Sequence, residues 1–120
     1  MKIGFLCSEK YSMYDGLIEN IIECMNKKVS IEKQAIENSK IVLSTRKKYD
    51  LYVLFTDDVE DFNLCYSKIK SKNKPILITQ NLQESYIRSV IGLVKDIIYS
   101  KSNTEVIANR LFNIMVKLDV

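Results

Sequence analysis

A three-layer α/β fold, with helices on both faces of a parallel sheet, follows from two features of the sequence. Short and nearly continuous apolar runs recur along the chain, and between them lie longer segments whose apolar residues keep helical spacing. A strand covered on both faces has no wet side, so it reads as a run and not as an alternation. Repeated β-α alternation then pairs the strands in parallel through right-handed crossovers. The 120 residues make one domain, residues 1–120, which buries roughly two thirds of its unfolded surface.

The elements follow in order. Met1 to Cys7 ("MKIGFLC") is the first buried run. Asp15 to Lys27 puts Ile18, Ile21, Ile22 and Met25 on one helical stripe, and Ser12 with Asp15 forms a capping-box pattern at its start. Val29 to Gln34 alternates, as an edge strand with one wet face does. Ser39 to Lys48 is a short helix candidate carrying Ile41, Val42 and Thr45 on one face. Leu51 to Phe55 ("LYVLF") is a central strand, and Val59 to Lys72 is a helix with Phe62, Cys65, Tyr66 and Ile69 on its stripe and Asp58 as N-cap. Pro75 to Thr79 is strand four. Asn81 with Glu84 then caps a helix holding Tyr86, Ile87, Val90, Ile91 and Val94. Asp96 to Tyr99 is strand five, and the helix from about Thr104 to Leu118 stacks Ile107, Leu111, Ile114 and Leu118. Five β-α units make a doubly wound, flavodoxin-like (βα)5 sandwich with strand order 2-1-3-4-5, whose ligands and chemistry collect at the carboxyl ends of strands one, three and four.

Composition narrows the function. Apolar residues are 47% and charged residues 28%, the balance of a globular domain with its own core. The longest apolar run is too short to span a bilayer, and no basic segment followed by an apolar core opens the chain, so the expected location is the cytoplasm. There is no histidine, which excludes histidine-based general catalysis, and Cys7, Cys24 and Cys65 are too few and too scattered for a disulfide framework or an ordinary zinc site. The net charge of +3 is modest and the basic residues lack interleaved aromatics, so nucleic-acid binding is not expected. The charges are nonetheless sorted. Lys27, Lys28, Arg46, Lys47, Lys48, Lys68, Lys70, Lys72 and Lys74 precede strands, whereas Glu9, Asp57, Asp58, Glu60, Asp61 and Glu84 follow strands or open helices. The fold should therefore have an acidic carboxyl end and a basic amino end, a pattern that a solvated surface alone would accommodate.

Over essentially the whole chain, "KIGFL", "YDLYVLF", "KPILIT", "KDIIYSKS" and "EVIANRL" resemble the receiver domains of bacterial two-component response regulators, signal-transduction modules. The resemblance implies an acidic pair for magnesium after strand one and an acceptor aspartate ending strand three. It also implies a switch threonine or serine after strand four and a lysine after strand five. Here the acceptor position falls on Phe55, the acidic pair on Cys7 and Ser8 with Glu9 nearby, and the switch hydroxyl on Thr79. Lys101 matches the lysine only with one residue inserted, and the proline that usually follows is Ser102. The expected protein is a pseudo-receiver: non-catalytic, without a required cofactor, magnesium included, and acting through protein contacts.

Two chemical alternatives stay open. Asp57 keeps the strand parity of Phe55 but stands roughly 6 to 7 Å farther out, a shift that normally abolishes phosphoryl chemistry, so it is only a minority candidate for a displaced acceptor, with Glu9 and Asp57 as weak candidates for magnesium. The bland role for Asp57 and Asp58 is to end the strand and cap the next helix. Cys7 opens "CSEKYS", which resembles the phosphocysteine loop of enzyme IIB subunits of the sugar phosphotransferase system, although Lys10 replaces the expected glycine. Cysteine phosphatases need an arginine six positions on, and that position is Met13. The last helix is more apolar than one core stripe requires. Phe112, Met115 and Val116, with Tyr86 and Tyr99, are accordingly candidates for a homodimer or partner surface through the last strand and helix.

Overall fold

The computed structural model of the chain describes residues 3–28, 39–40, 49–69 and 71–118. Its elements are β1 (Ile3–Cys7), α1 (Asp15–Lys28), β2 (Ser39–Lys40), β3 (Leu51–Phe55), α2 (Val59–Lys68), β4 (Ile76–Thr79), α3 (Glu84–Val90), β5 (Asp96–Tyr99) and α4 (Thr104–Leu118). Four strands of four or five residues run parallel in the spatial order β1-β3-β4-β5, and the two-residue β2 pairs parallel to the free edge of β1. Full fivefold β-α repetition is therefore not what the described residues contain: β2 is a bare pairing, and the α-helices number four.

Alternate residues of the strands supply two cores. Ile3, Phe5, Val53, Phe55, Ile76, Ile78 and Ile98 face α1 and α4, where Ile18, Ile21, Met25, Ile107 and Leu111 meet them. Leu6, Tyr52, Leu54 and Leu77 face α2 and α3, against Phe62, Cys65, Tyr86 and Val90. The sheet is thus the middle of three layers, which is why its strands read as unbroken apolar runs. Burying each large side chain contributes about 1.5–3 kcal/mol, so the layers hold by area and not by any single contact.

Several boundaries differ from the sequence expectation, each for a local reason. The expected strand at 29–34 lies outside the described residues. Ser39 and Lys40, expected to open a helix, pair with Gly4 and Phe5 instead, satisfying backbone groups on β1 that would otherwise be an open edge. The remainder of that expected helix also lies outside the described residues.

Helical structure after β1 begins at Glu9, as a kinked 3-10 segment Glu9–Tyr14 leading into α1, so Ser12 lies inside it and not at its start. Ser8 holds the N-cap place, but its hydroxyl is committed to Asp61. The second long helix stops at Lys68, short of Lys72, because Ser71 Oγ and Asn73 Nδ2 donate to the Asp50 carbonyl at 2.9 and 2.8 Å and hold the chain in a turn. The N-cap of α3 is Gln83, not Asn81. Its helix ends at Val90 and tightens into a 3-10 turn, Ile91–Leu93, from which Lys95 N reaches Pro75 O at 2.8 Å to start β5.

Candidate functional site

The pairing of β1 with β3 puts Cys7 beside Phe55, and that of β3 with β4 puts Phe55 beside Ile78. Phe55 is fully buried, its ring 5.7 Å from Tyr14 and 6.3 Å from Phe5. The place where the receiver resemblance would put a phosphate acceptor is therefore core. Polar chemistry begins one step farther along the chain, where the loops after β1, β3 and β4 converge.

Asp57 stands at the centre of that convergence. Its Oδ1 accepts from Tyr14 OH at 2.6 Å, Thr79 Oγ1 at 2.9 Å and Gln80 N at 3.0 Å, and its Oδ2 accepts from Gln80 Nε2 at 3.0 Å. Strand parity explains the first contact: two residues past Phe55, Asp57 returns to the α1 side of the sheet, where Tyr14 ends the 3-10 segment. Asp57 thus clasps three loops and caps no helix, correcting half of the expected role.

Asp58 is the helix cap, as its sequence position suggested. Its Oδ1 accepts from Asp61 N at 2.7 Å, one of the amides that the first turn of α2 leaves without a partner. Its Oδ2 accepts from Lys10 Nζ at 2.7 Å and Tyr11 OH at 2.5 Å. Burial works against the Asp58 charge, but the bonds from Lys10, Tyr11 and Asp61 outweigh it and hold the carboxyl down at about 2. The same bond to Asp58 raises Lys10 above its ordinary value. Burial first, then the carboxylate each one serves, pushes the Tyr11 and Tyr14 phenols above theirs.

A third acid, Asp61, is buried and accepts from Ser8 Oγ at 2.5 Å. It therefore contributes little to an exposed acidic surface, contrary to expectation. Burial, with the Asp61 charge second, pushes the Cys65 thiol up to about 12. Cys7 is also buried, and its Sγ donates to Asp15 Oδ1 at 3.6 Å.

The other expected site residues separate. Thr79 is buried and bonded to Asp57, and it also accepts from Asn81 N at 3.1 Å, so the switch-like hydroxyl does sit with the acid. Lys101 lies in the exposed turn after β5, with no hydrogen bond to Asp57 among the described residues. Glu9 is exposed in the 3-10 segment. Among the described residues no group of three or more acids or cysteines is placed to hold a metal ion. Of the surface candidates, Tyr99 and Val116 are exposed and Phe112 is half-buried. Tyr86 and Met115 are buried and cannot form part of a surface. Tyr86 packs between α3 and the sheet, where its hydroxyl donates to Thr56 O at 3.1 Å, and Met115 lies in the core between α4 and α1. Burial pushes the Tyr86 phenol up to about 12.

The site residues missed in the sequence are Lys10, Tyr11, Tyr14, Gln80 and, in this role, Asn81. Asn81 Nδ2 donates to Asp57 O at 2.8 Å, binding the loop after β4 to the loop after β3. Two tyrosines three apart just after a buried strand were the available signal, since on a 3-10 segment that spacing puts both on one side. Every buried side-chain nitrogen and oxygen among the described residues has a partner.

No family model matches the chain, and no curated protein does. Among solved structures, one from Sinorhizobium meliloti 1021, provisionally described as the pilus assembly protein CpaE2, is similar in fold. The TM-score is 0.58 at 12% identity, over 93% of this chain and 98% of that one. At that identity the likeness speaks for an α/β fold with a parallel sheet and helices, which is consistent with a flavodoxin-like arrangement. No helix among the described residues is long and apolar enough to cross a membrane.

Proposed function

We propose that this chain is a receiver-like module that carries no phosphoryl group and works by contact with other proteins. One observation carries the reading: Phe55 fills the acceptor position from within the core, and the nearest acids, Asp57 and Asp58, are already bonded by the chain's own hydroxyls, amides and Lys10. A metal or phosphoryl group would have to displace several hydrogen bonds, each charge-assisted one contributing about 1.5–3 kcal/mol. The finer parts of the proposal are a single five-unit receiver-like domain, a cytoplasmic bacterial setting, and a homodimer or partner contact through β5 and α4. Tyr99, Phe112 and Val116 remain available for that contact. The solved neighbour's description as a pilus assembly protein suggests that the contact serves assembly.

The test is intact mass after incubation with magnesium and acetyl phosphate, for the wild type and for Asp57→Asn and Cys7→Ser. The expected result is no mass gain in any of them. A phosphoryl gain that disappears in one variant would establish the displaced-acceptor or phosphocysteine alternative.

A further inference from the structure

Strand β5 pairs with β4 on one side and ends the strand order on the other, so among the described residues its outer side has no neighbouring strand. The edge of a sheet is a row of backbone donors and acceptors ready to pair with another chain. The residues Ile97, Ile98 and Tyr99 favour strand pairing, which makes this edge a hazard unless something blocks it.

The ladder determines which groups face outwards. Ser100 N donates to Thr79 O at 2.9 Å, so at this end the even-numbered amides turn towards β4 and the odd-numbered ones away from it. The outward amide of Ile97 donates to Asp96 Oδ1 at 2.9 Å. Asp96 is braced in turn from α4, where Arg110 Nη2 donates to its Oδ2 at 2.5 Å. Two residues on, the outward carbonyl of Tyr99 accepts from Ser102 N at 3.1 Å, in the turn that leaves the strand. The first outward donor and the last outward acceptor of β5 are thus both occupied by the chain itself. The strand is only four residues long, and the exposed Lys95 and Lys101 stand just before and just after it. Short length and flanking lysines are further ways in which an edge is kept from pairing.

The division of the Asp96 oxygens separates this arrangement from an ordinary surface ion pair. A surface pair adds little stability and needs only the two charged groups. Here one oxygen takes the arginine and the other is spent on the backbone of its own strand. We propose that Asp96, held by Arg110, is an edge guard: it occupies the outward amide of β5 and keeps a strand of another chain from adding to the sheet there. In a solution of this chain alone, the strand kept off is β5 of a second copy, because two such edges can pair antiparallel about a two-fold axis. Any contact through β5 and α4 is then made by side chains such as Tyr99 and Val116, not by the backbone.

Amide hydrogen exchange at Ile97 tests this, followed by NMR on the isotope-labelled full chain at low and high concentration, with sedimentation velocity alongside. Asp96→Ala removes the acceptor, and Asp96→Asn keeps an acceptor while removing the charge. Asp96 lies at the surface end of its strand, and circular dichroism checks that both variants fold. In dilute Asp96→Ala the Ile97 amide should exchange about tenfold faster than in the wild type. At high concentration its exchange should slow again as the protein grows in size beyond the wild type, because a second β5 covers the freed amide. Asp96→Asn should follow the wild type in both measurements. Unchanged Ile97 exchange in dilute Asp96→Ala would show that Asp96 does not hold the amide, and no added association at high concentration would show that the edge needs no guard; either overturns the proposal. Association of Asp96→Asn equal to that of Asp96→Ala overturns it too, since charge alone would then keep copies apart. The phosphoryl experiment bears on none of these outcomes, so this inference and the contact-module reading fail separately.

Discussion

Replacing Asp57 by alanine would leave the Tyr14 and Thr79 hydroxyls and the Gln80 amide without their shared acceptor. Stranding such groups costs about 1–3 kcal/mol each, with some relief from water at this half-buried site, so Asp57→Ala should destabilise by about 3 kcal/mol in urea unfolding. Asp57→Asn keeps an acceptor and should cost less. Asp58 gives the chain an acid limb. Its carboxyl lies at about 2 when folded against an ordinary 3.8, so its contribution is complete above about pH 4 and disappears as pH falls through 2. Asp58→Asn should flatten stability against pH in that window; an unchanged slope would mean that other acids set it. The phenols act at the alkaline side. Tyr11, Tyr14 and Tyr86 are pushed above their ordinary 10.0, so their contribution is complete below about pH 10 and fades as pH rises beyond it. Phenolate absorbance should show these phenols ionising only with unfolding. Beyond the Asp58 cap on Asp61 N, little of this was legible from Asp57 and Asp58 alone, because their other partners, Lys10, Tyr11, Tyr14, Thr79 and Gln80, lie far away in sequence and a carboxylate's partners leave no periodic trace.

The elements were more legible than the site. The α4 stripe of Ile107 and Leu111 is buried as its spacing required, and Leu111→Ala, at a fully buried position, should cost about 2–5 kcal/mol in thermal or urea unfolding. One surface candidate on this helix was misjudged: Met115 turns inward because α4 packs against α1 as well as the sheet, which widens the buried stripe, whereas Val116 faces out as expected. Val116→Glu should change stability by less than about 0.5 kcal/mol, and gel filtration with light scattering would show whether it breaks a contact through α4. Helix ends were the least legible feature. Where the chain leaves α2 depends on Ser71 and Asn73 finding the Asp50 carbonyl, a tertiary event that helix spacing does not encode.

For the whole molecule, apolar runs gave the layers, and parity gave the faces. The pairing of Cys7 with Phe55 and of Phe55 with Ile78 follows from which residues had to be buried. That register makes Phe55 informative and accounts for Asp57 emerging on the α1 side, within reach of Tyr14. The charges are less sorted than their places before and after strands suggested: Lys10 reaches Asp58 and Arg88 pairs with Glu84 at the carboxyl end, while Asp96 opens β5 at the amino end. What the sequence could not display was which acids are occupied: Asp61 is buried under Ser8, Asp58 holds Lys10, and Asp57 joins three loops.

That occupancy can be read from two amides, Gln80 N on Asp57 and Asp61 N on Asp58. Titrating the isotope-labelled chain with magnesium and following both amides by NMR should give only small, unsaturating changes, since each carboxylate already has its donors. Saturating shifts of Gln80 and Asp61 at submillimolar magnesium, abolished by Asp57→Asn, would contradict a site closed by its own side chains.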